Sequence, residues 1–168
     1  MRTVLLLLFA SAICVFGESF SQEGKLNVLN IHNEFRSQLA LGEFSVRGIK
    51  KPAACGMRKM ASLAPKKWWQ EFETNGWDSL IYNHAIQRFK IGHAIQMAWH
   101  STNKVGCGYA KCAVGTPDQT MVVVCRYHQK GNIEGEPIYE QGVTCSKCPA
   151  EYQKCPFGLC EKEGVDSD

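Results

Sequence analysis

Between Lys25 and Leu41 the chain reads KLNVLNIHNEFRSQLAL, with apolar positions at Val28, Ile31, Phe35 and Leu39. Steps of three and four residues predict an amphipathic helix, in which His32 is the alternative to Ile31 on the buried stripe. Gly42 suits its C-terminal cap. The next stretch, GEFSVRGIKKPAACG, carries three glycines and a proline and reads as a loop. Pro65 fits the first turn of a second helix, APKKWWQEFE, whose apolar surface comes from Trp68, Trp69 and Phe72. TNGWD then breaks that helix. Further on the period changes. VGCGYAKC (105–112) and TMVVVCRY (120–127) are rich in valine, tyrosine and cysteine. With the turn-forming VGTPDQ between them, they predict two antiparallel strands. The segment CSKCPAEYQKCPFGLC (145–160) is dense in cysteine and too short for a core of its own.

Composition changes this picture at the start of the chain and at the cysteines. Residues 1–17 combine Arg2, an apolar run from Val4 to Ala10 and small residues leading to Gly17. This is the pattern of a cleaved secretory signal, with an apolar run too short to span a bilayer. The expected product is secreted and extracellular, with no transmembrane segment. Of 9 cysteines, Cys14 would leave with the signal. The even number remaining implies a disulfide framework, because thiols oxidise outside the cell. The spacing Cys145, Cys148, Cys155, Cys160 could wrap zinc. In an exported chain the same four are expected to pair among themselves. A formal net charge of +3, with bases scattered along the chain, gives no stripe for nucleic acid.

Candidate chemistry is sparse. His32 and Arg36 lie four apart and share a helix face. They would repel a common cation, so they are expected to tie the helix to its neighbours by hydrogen bonds. Glu71 in WWQEF and His93 in GHAIQ are the carboxylate and imidazole best placed for an acid–base or metal pair. Two ligands are too few for a strong zinc site, so zinc is the sole cofactor to consider and none is expected to bind tightly. His84 and His100 read as surface histidines. No zinc-protease, phosphate-loop or dinucleotide motif occurs.

His32-Asn33-x-x-Arg36, Gly92-His93-x-x-Gln96-Met97-x-Trp99, Gly106-Cys107-Gly108 and Val123-Val124-Cys125-Arg126-Tyr127 followed by Gly131-Asn132 occur in that order. Together they resemble the CAP superfamily of cysteine-rich secretory, antigen 5 and pathogenesis-related proteins. The WWQEF helix and the cysteine-rich end resemble most the secreted venom-allergen-like proteins of nematodes. The resemblance implies an α/β/α sandwich, a small antiparallel sheet between helical layers, with an open cleft of two histidines and two glutamates. Only Glu71 and His93 carry over, as a remnant of that cleft. Met60 passes directly into ASLAPKKWWQEF, where the family has a further long helix, a cysteine, a His-Ser pair and a Gly-Glu-Asn motif. One sheet face is therefore expected to lack its cover.

The family pattern also implies a Cys107–Cys125 bridge. It leaves Cys55 and Cys112 as a candidate pair, provided their Cα atoms come within about 7 Å. The expected organisation is a signal peptide (1–17), a shortened CAP domain (18–142) and a cysteine-rich tail (143–168). The implied function is that of a non-catalytic effector binding host proteins, lipids or sterols, with an immune-modulating role. The alternatives are a truncated inactive variant and a secreted metal-dependent hydrolase using Glu71 and His93.

Overall fold

The computed structural model describes residues 18–60, 66–87 and 90–163. The signal expected over 1–17 and the helix-starting Pro65 lie outside the described residues. The chain order is β1 (Glu18–Ser19), α1 (Gln22–Ala40), β2 (Ser45–Val46), β3 (Ile49–Lys50), α2 (Lys66–Asn75), α3 (His84–Gln87), α4 (Gly92–Ala98), β4 (Lys104–Cys112) and β5 (Thr120–His128), then a 3-10 turn at Pro156–Gly158.

Helix α1 begins three residues before the sequence pattern does, because Ser21 caps it by accepting from the Gly24 amide at 3.2 Å. Gly42 follows its end at φ +68°, a left-handed conformation in which a side chain is disfavoured. Its buried stripe runs through Leu29, His32, Arg36, Leu39 and Ala40. The stripe is shifted by one residue from Val28 and Ile31, since two polar residues are buried in it. Arg36 explains how. Its guanidinium donates to the carbonyls of Arg58, Met97, Trp99, His100 and Thr102. Burial pulls this group down to about 9, which leaves it charged at neutral pH. His32 binds the Val28 carbonyl through Nδ1 at 3.0 Å and the Tyr127 hydroxyl through Nε2 at 3.3 Å.

The expected loop after Gly42 instead holds the β2–β3 ribbon. Arg47 and Gly48 at its turn both have positive φ, 50° and 79°. Positive φ at both central positions is what a two-residue type I′ hairpin requires. An arginine there carries none of the usual Asn-Gly or Asp-Gly signal.

Helix α2 buries Trp69 and Phe72, and Gly76 (φ +84°) ends it with its amide on the Phe72 carbonyl. Phe72 stacks on Trp77 with ring centroids 4.4 Å apart. Met57, Ile95, Met97, Trp99, Ile138 and Tyr139 complete this core. Gly131 lies against it so closely that an added Cβ would sit 2.7 Å from Trp99 Cγ.

Strands β4 and β5 pair antiparallel without a break from Lys104↔His128 to Cys112↔Thr120, and β1 adds to the far edge of β4. Val105, Cys107, Cys125 and Tyr127 pack with Leu29 and Met60 on one face. On the other face Val122 and Val124 are 46% and 61% exposed, and a Cβ at Gly106 would meet nothing within 4 Å. The architecture is an α/β/α sandwich shortened by one helical layer.

Cys107 is bonded to Cys125, Cys145 to Cys155 and Cys148 to Cys160. The cysteine-rich end is sewn to the domain, with the Lys59 amide on the Cys160 carbonyl and the Cys160 amide on the Met57 carbonyl. The candidate Cys55–Cys112 pair is not formed. Cys55 is a buried free thiol held against Glu140 and Gly142, while Cys112 ends β4 opposite Thr120 and is disulfide-bonded without Cys55. Counting cysteines for even parity could not see that the two occupy different neighbourhoods.

Candidate functional site

Helix α4 starts without a side-chain cap of its own, since Ile91 stands at its N-cap. The missing acceptor comes from α2. Glu71 Oε2 accepts from the backbone amides of His93 (3.1 Å) and Ala94 (3.2 Å), and Oε1 lies 2.7 Å from His93 Nδ1. A carboxylate at a helix N-terminus satisfies orphan amides and is stabilised by the positive end of the helix. Trp68, three residues before Glu71 and so on the same helix face, stacks on the His93 ring at 4.9 Å with 11° between planes. The Glu71 side chain is 18% exposed and that of His93 61%. The structure therefore brings Glu71 and His93 together, in an interhelical clasp that consumes both carboxylate oxygens.

The clasp forms one wall of a groove of about 640 Å³. Lys90 and Asn132 also line that side; Val123, Val124 and Tyr127 of β5 line the other. Asn132, at φ +54°, donates from Nδ2 to the Gly92 carbonyl at 2.9 Å. Its buried Oδ1 has no hydrogen-bond partner. Gln96 secures the loop beyond β5, accepting from the Gly131 amide at 2.8 Å and donating to Thr102 Oγ1 at 3.0 Å. The spacing of Gly131-Asn132 after β5 is the sequence signal for this wall. Nothing local in the sequence marked Trp68 or Lys90 as groove residues.

The other candidates lie elsewhere. His100 is half-buried, with its amide and ring nitrogen on the Ile138 carbonyl. The His84 side chain lies outside the described residues. Cys145, Cys148 and Cys155 are the three described side chains close enough to share a metal, and disulfides occupy all three. A catalytic zinc takes three protein ligands and leaves one position open. Glu71 and His93 supply two, with the carboxylate already bound to two amides and the imidazole, so the residues present do not fit a zinc centre.

Comparison with known proteins converges on one group. A model of the cysteine-rich secretory protein family, CAP, matches residues 50–127. The chain is 37% identical over 135 residues to mouse peptidase inhibitor 16, a match covering 77% of this chain and 24% of that protein. It is 35% identical over 107 residues to the Ancylostoma secreted protein of Ancylostoma caninum, covering 61% of this chain and 24% of the relative. The chain spans about a quarter or less of the length of the first curated relatives that it matches. Among solved structures it is similar to NaASP2 with Zn2+, at a TM-score of 0.71 and 25% identity over 86% of this chain and 98% of that one. BmVAL-1 shares the fold at a TM-score of 0.74 and 22% identity, covering 86% and 96%.

Proposed function

Residues 50–127 are a segment of the cysteine-rich secretory protein (CAP) family on a shortened CAP fold, and from that premise we propose that the chain is a secreted, non-catalytic effector of the nematode venom-allergen-like type. It acts by binding a host protein or lipid in the groove beside Trp68, Glu71 and His93, with an immune-modulating consequence. The observation that carries this reading is the Glu71 carboxylate, three of whose roughly four acceptor sites are taken. A general base needs a free lone pair within reach of a substrate proton. Here the clasp engages both oxygens, holding Oε2 on the His93 and Ala94 amides and Oε1 on the His93 ring, so the carboxylate is committed to capping α4. What remains is a shaped, partly apolar groove with polar groups on its walls, which is the anatomy of a binding site. The names of the relatives, peptidase inhibitor and venom allergen, support the same class. No helix among the described residues is long and apolar enough to cross a membrane.

The test titrates the oxidised protein with oleate, cholesterol and a panel of host plasma proteins, while ester and casein hydrolysis are followed in parallel. Saturable binding that is lost in Trp68→Ala, with no turnover, is expected. Hydrolysis abolished by Glu71→Gln would replace this reading with an enzymatic one.

A further inference from the structure

The outer edge of β5 forms the wall of the groove opposite the clasp. The Cα atoms of Cys107 and Cys125 are 4.1 Å apart, the close spacing of a non-hydrogen-bonded antiparallel pair. Alternation along the ladder then turns the backbone N–H and C=O of Val123 and Tyr127 away from β4. Among the described residues no strand pairs with β5 on that side, and no hydrogen bond reaches those groups. Edge strands are ordinarily guarded by proline, lysine or a bulge. From Thr120 to Tyr127 this edge has none of the three, and Arg126 is its one charged side chain.

The facing wall supplies what a partner's side chains would meet. Lys90 is exposed, makes no ion pair among the described residues and stands at φ +53°. Asn132 is likewise in the left-handed region. Non-glycine residues held in that region cluster at ligand clamps. Both Glu71 oxygens are engaged within the clasp, so Lys90 is the groove's charged group without an ion-pair partner among the described residues.

We propose that β5 receives an extended segment of a partner polypeptide, about five residues matching Val123 to Tyr127, that pairs its backbone with those outward groups. An acidic side chain of the segment meets Lys90. This rests on the binding reading above and selects among its ligands. A fatty chain or sterol would fill the groove but leave the outward amides unsatisfied. Strand addition draws affinity from main-chain hydrogen bonds and specificity from alternate side chains.

The experiment selects phage-displayed random heptapeptides on the intact, oxidised protein and synthesises the enriched sequence. Enrichment of an acidic residue is expected. N-methylation of successive peptide amides should weaken binding at least tenfold at every second position and little between. Hydrogen exchange should slow at Val123 and Tyr127 in the complex. Val123→Pro removes an outward N–H and leaves the β4 ladder intact, so it should abolish binding. Lys90→Glu, at an exposed position, should weaken binding tenfold without lowering the melting temperature. A selected peptide indifferent to N-methylation and to Lys90→Glu overturns strand addition. So does Trp68-dependent binding of oleate or cholesterol with no peptide enriched, and in that case the groove reading stands. If Trp68→Ala alters the binding of no ligand at all, both readings fall.

Discussion

Arg36 donates from Nη1 to the carbonyl of Trp99 at 2.8 Å, across 63 positions of sequence. The same guanidinium gathers four more carbonyls, so one side chain fixes the path from Met97 to Thr102 and holds it to Arg58 and α1. Trp99 in turn packs against Gly131, which carries the groove wall.

Arg36→Met is expected to be severely destabilising. It strips buried carbonyls of their donor, and an unsatisfied buried group costs about 1–3 kcal/mol. A loss of at least about 3 kcal/mol is a large part of the roughly 5–15 kcal/mol that holds a domain together. Arg36→Lys keeps the charge but has three donors on a compact head, and should recover only part of the loss. Urea unfolding midpoints of the three proteins measure this. A midpoint for Arg36→Met within error of the parent would show that the cage is dispensable.

His100 should make the protein less stable in mild acid. Burial lowers its pKa, the Ile138 carbonyl opposes that shift, and the Arg36 charge adds to it. A histidine depressed in the folded state leaves the unfolded chain binding more protons between the folded value and the ordinary 6.5. Stability is then complete above 6.5 and is lost as pH falls through the folded value. Glu140, lowered by its hydrogen bond from Lys147, acts in the same direction but only below its ordinary 4.5. Unfolding midpoints at pH 5 and pH 7.5 should therefore differ, and His100→Gln should shrink the gap. An unchanged gap would assign the acid sensitivity elsewhere.

Cys55 is expected to resist alkylation in the native protein and to react fully after denaturation. Its thiol is buried, with Sγ 3.3 Å from the Glu140 carbonyl, and Gly142 closes over it. Peptide mapping after iodoacetamide treatment, with and without guanidinium, reads this directly. A Cys55–Cys112 crosslinked peptide in a non-reduced digest would overturn the assignment.

Much of this architecture was legible in the chain because it rests on local patterns. Helices α1 and α2 follow from three-and-four spacing, and β4 and β5 from their valine-rich runs and the intervening turn. The one-residue shift in α1 was not legible, since burying His32 and Arg36 depends on acceptors from Arg58, Thr102 and Tyr127. Helix α4 lacked a signal for the same reason. It is 7 residues long and its cap is Glu71, which comes from another helix. Pairing Glu71 with His93 came from resemblance and residue type. Its meaning, a clasp that caps α4, required the two backbone amides, which no side-chain pattern displays.

Zinc titrated calorimetrically into the oxidised protein should give no saturable heat at micromolar concentration. Binding zinc through Oε1 and His93 Nδ1 would require breaking the 2.7 Å contact and loosening the N-terminus of α4. Micromolar affinity that vanishes in His93→Ala would show that the clasp opens readily and would restore a metal role.

The bare sheet face should bind a hydrophobic dye in the native state. Val122 and Val124 are 46% and 61% exposed on β5, and Gly106 leaves a further gap beside them. Burying a side chain of this size stabilises a protein by about 1.5–3 kcal/mol, so leaving two in water forgoes part of the usual core. The disulfides become correspondingly important, since losing one from a small secreted domain costs about 2–5 kcal/mol. Val122→Thr with Val124→Thr should remove most of the dye fluorescence. Exposed positions contribute little to packing, so the melting temperature should stay nearly constant, within the range of about 0.5 kcal/mol typical of surface changes. Retained fluorescence in the double variant would place the dye elsewhere, and a large fall in melting temperature would mean that these valines are covered in solution.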